Sequence, residues 1–209
     1  MAKSVTQRKS ASQGDSVNYH HGDLKASLIE AAGVILTRDG ADALSLRAIA
    51  QQVGVSHTAP YSHFKNKKEL IRAVIDKGFE SLAEAMQLAE AQSNKSRDNL
   101  ALTYGAAYLQ FAISNPQLYR LMLGQVEARG LKKASPDAYF SGENQTLKDP
   151  FFLLENAFEK IVTDSSEVKN KALGAWALVH GMAALLIEGY ITVPEGMELR
   201  HFLASVTPG

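Results

Sequence analysis

The side chains best placed to do chemistry lie close together, between Arg47 and Lys68. Arg47, His57, Thr58, Tyr61, His63, Lys67 and Lys68 offer hydrogen-bond donors and positive charge, with a hydroxyl at Ser56, around the break Val53-Gly54-Val55-Ser56. Donors and cations of this kind bond phosphate oxygens and the acceptors on base edges. Bond-making chemistry has no comparable constellation. The chain has 0 cysteines, and it shows no phosphate-cradling Gly loop, no Gly-x-Ser-x-Gly and no His-Glu-x-x-His. His20, His21 and Asp23 sit at the edge of a polar arm with no fixed geometry for a metal, and His57 and His63 are too far apart on one short helix to share one. No cofactor or metal is expected.

A short helix starting at Ser45 puts Leu46, Ile49, Ala50 and Val53 on one face. Gly54 supplies the positive φ that reverses the chain. Ser56 is the expected N-cap of a third short helix running through Phe64. Two short helices joined this way have the spacing of a helix-turn-helix, whose second member presents its N-terminal residues to the major groove. Lys67 and Lys68 stand in the first turn of the following helix, where the macrodipole disfavours cations by about 0.3–1 kcal/mol. Phosphate oxygens sharing that end would explain them, although solvated lysines also tolerate so small a penalty.

The combination Leu46-Arg47-Ala48-Ile49-Ala50, Val53-Gly54-Val55-Ser56, Tyr61-Ser62-His63-Phe64 and Asn66-Lys67-Lys68-Glu69-Leu70 resembles the TetR family of transcriptional regulators, densely over residues 20–82. Ala175-Trp176-Ala177-Leu178-Val179-His180-Gly181 is similar to the Trp…His-Gly signature of one TetR C-terminal subgroup. The resemblance implies a three-helix DNA-binding head, a connecting helix, an effector-binding helical body and a homodimer formed through the last two long helices. It implies phosphate contact by Lys67 and backbone or groove contact by His63 and Tyr61, unless Tyr61 only packs the head. Sequence reading is expected of Arg47, His57, Thr58 and Ala59. Pro60 departs from the family's usual Leu; near N4 its ring crowds the Ser56 carbonyl, so a tight or irregular first turn is expected.

The remaining elements follow from periodicity. Leu24, Leu28, Ala31/Ala32 and Ile35 form a first helix from Asp23 to Gly40. Asn66 opens a helix with the stripe Ile71, Ile75, Phe79, Leu82 and Met86, running to about Gln92 and alone joining head to body. Helices are expected over 98–114, after Pro116, from Asp149-Pro150 to about Thr163, over 167–189 and around 195–204, with a loop over 124–148. The 167–189 helix is apolar or small around almost its whole girth, so a second copy is expected on its far side. The class is all-α, divided into an arm (1–18), a helix-turn-helix domain (19–82) and an effector and dimerisation domain (83–209).

Tyr104, Tyr108, Phe111, Tyr119, Phe158, Trp176 and His180, with Met122 and Phe151, are the candidate effector residues. Each serves equally well as plain core, and His180 as a hydrogen-bonded core histidine. Glu188 is read as solvated.

Residues 1–80 hold 11 Lys/Arg against 8 Asp/Glu, leaving 11 against 14 beyond; the 22 basic and 22 acidic residues therefore cancel between a mildly basic head and a mildly acidic body. The arm carries Lys3, Arg8 and Lys9 and no apolar signal core, and the longest apolar stretch (175–187) is shorter than the roughly 20 residues of a membrane span. A soluble cytoplasmic protein is expected. Its expected partners are a palindromic duplex operator, a second copy and a small-molecule effector. The proposed role is a dimeric regulator, as a repressor. The rivals are an effector-independent architectural DNA binder and a helical enzyme.

Overall fold

The structure, a computed structural model, describes residues 24–94, 99–124 and 149–207. The arm, Asp23 as a cap, the His20-His21 pair and the 124–148 loop fall outside these residues apart from Gly124. Among the described residues there are eight α-helices, two 3-10 turns and no strand.

The head opens with α1 (Leu24–Asp39), which buries Leu28, Ala31, Ala32, Ile35 and Leu36 and stops at Gly40, where φ is +83°. After a 3-10 turn (Ala41–Ala43), α2 (Leu46–Val53) begins at Ser45, whose hydroxyl accepts the Ala48 N–H at 3.1 Å. The next helix, α3 (Lys67–Gln92), starts at Asn66, whose side chain accepts the Glu69 N–H at 3.0 Å. Glu69 reaches back to the Lys65 N–H at 2.8 Å, one residue earlier than in the usual capping box.

At 26 residues α3 is about 39 Å long and carries the chain out of the head into the body. Its buried stripe is Leu70, Val74, Ile75, Gly78, Leu82, Ala83 and Met86, turned slightly from the expected one, so that Ile71 and Phe79 are only half-buried. Gly78 lies in that stripe because a neighbouring helix crosses there.

The body is built from α4 (Leu100–Ser114), α5 (Pro116–Gly124), α6 (Pro150–Glu159), α7 (Ser165–Ile187) and α8 (Leu199–Val206). Several boundaries differ from those expected, and caps explain most of them. Asn99 caps α4 and Asp164 caps α7, so α4 starts later and α7 earlier than periodicity suggests. The turn after Glu159 ends α6 short of Thr163, and α8 starts at Leu199 rather than near Glu195.

One expectation is overturned: α3 does not join head and body alone, because α5 packs against both α1 and α3. α7 is long and apolar enough to cross a bilayer by length and composition. Its Val168, Ala172, Trp176, Val179, Met182 and Ala183 are buried in the body's core, where it packs on α4 and α6.

Candidate nucleic-acid interface

The turn after α2 is closed by its own backbone. Val55 N–H bonds the Ala50 carbonyl at 3.0 Å and Gly54 N–H bonds the Gln51 carbonyl at 3.2 Å, the paired bonds of a Schellman cap. That geometry places Gly54 at φ +80°, ψ +26°, where a Cβ is strained. Val55 then packs on the head's core.

The segment that follows is not the α-helix expected from Ser56 to Phe64. It is a 3-10 turn, Ala59–Ser62, with Pro60 in its first positions. Proline lacks an N–H and its ring crowds the turn before it, which favours this tighter winding. Ser56 does not cap the turn either: its hydroxyl lies 3.1 Å from that of Thr58. The tight turn expected from Pro60 is therefore present, and longer in its effect.

Two side chains pin this turn down. Pro60 and Phe64 are at most 2% exposed and lock it to the core. Everything between them faces outward. Arg47, Ser56, His57, Thr58, Tyr61 and His63 are exposed, Tyr61 by 59%, and Ala59 is half-buried. Tyr61 is therefore not a packing residue of the isolated head. Lys65, Lys67 and Lys68 continue the face past the start of α3, all exposed. Lys65 was not singled out from the sequence, although the adjacent lysines gave the signal.

The arrangement leaves donors unused. Among the described residues the side chains of Arg47, His57, Tyr61, His63, Lys65, Lys67 and Lys68 have no hydrogen-bond or ion-pair partner. The Glu69 carboxylate that might have neutralised the lysines is turned to the Lys65 N–H. Seven exposed polar groups without internal partners can bond a polyanion without first breaking internal bonds.

The candidate effector residues separate into groups. Tyr119 lies with its hydroxyl 2.9 Å from His180 Nδ1 and 3.2 Å from the His180 carbonyl, and Tyr108 with its hydroxyl 3.3 Å from that of Tyr119. With the proton on Nδ1, Tyr119 accepts from the ring and donates to the His180 carbonyl. Burial lowers the His180 pKa and pushes that of Tyr119 up to about 12. Trp176 meets Tyr108 and Phe151 edge-on, with ring centroids 5.2 and 5.8 Å apart. Tyr104, Tyr108 and Trp176 wall a cleft between α4, α6 and α7 with about 20 Å³ of free space, room for a water or so. The Tyr104 hydroxyl donates to Glu90 of α3, a residue that sequence reasoning missed because its partner is 14 positions away on another helix.

Phe111 and Phe158 do not line this cleft; both are half-buried in the surrounding core. Met122 is plain core beside Gly78. Glu188 is not merely solvated, since Arg120 of α5 donates to it at 2.9 Å.

Comparison with known proteins identifies the family. The model of bacterial regulatory proteins of the tetR family matches residues 28–74, and that of the tetracyclin repressor-like C-terminal domain matches 101–205. An HTH-type transcriptional regulator of Mycobacterium tuberculosis, Rv0681, is 24% identical over 169 residues, 79% of this chain and 71% of that protein. A solved protein of unknown function from Rhodococcus sp. RHA1 superposes with a TM-score of 0.68 at 27% identity, covering 90% of this chain and 94% of its own. A possible TetR family regulator from Streptomyces coelicolor shares the fold at 15% identity, with a TM-score of 0.56 over 87% of this chain and 80% of its own. The second family model alone spans half of the sequence, and the first covers the head with its row of unpaired donors; the chain belongs to the TetR family and is a DNA-binding transcriptional regulator, not an enzyme.

Proposed function

We propose that the chain works in the cytoplasm as a homodimeric repressor of a palindromic operator, released by a small-molecule effector bound in the body. The division of labour is that of residues 19–82 for DNA and 83–209 for effector and dimer. The observation that carries the DNA half is the run of unpaired, outward donors from Arg47 to Lys68, held by the Gly54 cap and the Pro60–Phe64 anchors. Arg47, His57, Thr58 and Ala59 read bases, while Ser56, Tyr61, His63 and Lys67 hold the backbone.

The dimer reading rests on α7. Opposite its buried face lie Leu173, Gly174, Ala177, Gly181, Ala184 and Leu185, all exposed. Small residues at this spacing let a second helix approach closely, and leucines beside them reward it. Two heads then meet half-sites about one helical turn apart. An effector favouring a different head spacing weakens binding by its differential affinity, typically about 1–3 kcal/mol.

The test is selection of bound fragments from random duplex DNA. An inverted repeat with fixed half-site spacing is expected; a single unpaired half-site overturns the dimeric reading. An effector-independent DNA binder of the same fold is favoured by one observation, the small free space of about 20 Å³ in the cleft. Operator affinity that no lipophilic compound alters would decide for it.

A further inference from the structure

The cleft between α4, α6 and α7 has walls of one kind and a charge of one sign. Tyr104, Tyr108 and Trp176 present ring surfaces, with Met86, Leu154 and Val179 filling between them. Among the described residues no lysine or arginine lines it. Glu90 does not itself line it; half-buried on α3, its carboxylate takes the hydroxyl of Tyr104, which does, and pairs with no basic side chain among the described residues. A half-buried carboxylate whose side-chain donor among the described residues is a neutral phenol retains most of its attraction for a cation. Aromatic faces add to that attraction, the more so when water is excluded. An anionic ligand meets repulsion from Glu90 and no compensating charge.

We infer that the cleft is the seat of a lipophilic organic cation, with Tyr104 as the placeholder that occupies Glu90 until the ligand arrives. The inference rests on the effector reading above and names the ligand's class. The free space is too small for such a molecule as the side chains stand, so binding requires Tyr104 to turn away. Its hydroxyl bond to Glu90 is then replaced by the ligand's charge, while Tyr108 and Trp176 flank the apolar part. Tyr108 is held by the ring of Trp176 and by Tyr119, whereas Tyr104 is held by Glu90, the group the ligand's charge would take over.

Trp176 is the chain's 1 tryptophan, so its emission reports the cleft directly. The full-length protein is titrated with benzyltrimethylammonium, with its neutral isostere neopentylbenzene and with the anion phenylacetate. The cation is expected to bind at least tenfold more tightly than the isostere, and the anion most weakly. Glu90→Gln should abolish the preference for the cation while leaving affinity for the isostere and the far-ultraviolet circular dichroism unchanged. Tyr104→Phe, which frees Glu90, should tighten the cation at least threefold. Equal binding of cation and isostere, or a preference that survives Glu90→Gln, overturns the inference.

Operator binding measured in the same solutions separates this result from the reading beneath it. Glu90-dependent cation binding that leaves operator affinity untouched sinks the release mechanism and keeps the site. Release by the neutral isostere but not by the cation keeps the mechanism and sinks the site.

Discussion

Head and body fill their interiors with different chemistry. Inside the head the buried side chains are apolar: Leu28, Ile35, Leu36, Ile49, Val53, Pro60, Phe64 and Leu70 close on one another, and polar groups stand outside. Inside the body, Tyr104, Tyr108 and Tyr119 bring hydroxyls under the surface and must find Glu90, His180 and each other. A close-packed apolar core is barely compressible, which suits a part that must hold an edge against DNA. A buried polar network is stable only while every member is satisfied, so exchanging one partner can rearrange it. The contrast teaches where change is cheap: the head is stiff and the polar interior of the body is exchangeable.

Substitutions test that contrast. The largest effect is expected from Phe64→Ala, which removes an anchor of the 3-10 turn and should cost about 3–5 kcal/mol in urea unfolding. A loss below about 1 kcal/mol would mean the head is looser than its packing implies. Gly54→Val forces a β-branched residue to φ +80° and should cost about 1–3 kcal/mol, with DNA binding falling alongside stability. In the body, Tyr119→Phe keeps the ring and drops one hydroxyl, with an expected loss of about 0.5–1.5 kcal/mol. A cost matching that of Phe64→Ala would erase the distinction between the two regions.

Acidity probes the body alone. Burial holds the His180 pKa below the ordinary imidazole value of about 6.5, so the unfolded chain takes up its proton first as pH falls. Stability from neutral His180 is therefore whole above about pH 6.5 and is lost on acidification toward the folded-state value. His180→Asn should flatten the pH dependence of the unfolding midpoint in this range; an unaltered curve would assign the titration elsewhere. The smallest effect on stability belongs to Lys67→Ala, which is exposed and should leave unfolding unchanged. Its mark is on DNA, where the slope of log K against log salt should fall by about 1 per subunit for every sequence tried.

Local signals in the sequence were enough for the head. Ser45, Gly54 and Asn66 do their work through neighbours at most a few residues away, so spacing alone marks them. The 3-10 turn was only half visible: Pro60 announced strain, but sequence cannot tell a crowded α-turn from a tighter winding. In the body the caps at Asn99 and Asp164 were legible and outweighed the apolar periodicity used to place those helices. The Tyr104–Glu90 and Arg120–Glu188 pairs were not legible, since each joins helices whose contact depends on the whole packing. The same holds for α5 resting on α1, which no local pattern could announce.

That second junction has a narrow point. At Gly78 the backbone of α3 comes so close to α5 that an added Cβ would sit 2.7 Å from Met122 Sδ. The distance from body to head is thus gauged by an absent methyl. Alanine there would be a shim: Met122 must yield or the two rods part, and a protein so wedged would hold an altered operator affinity with no compound present to create it.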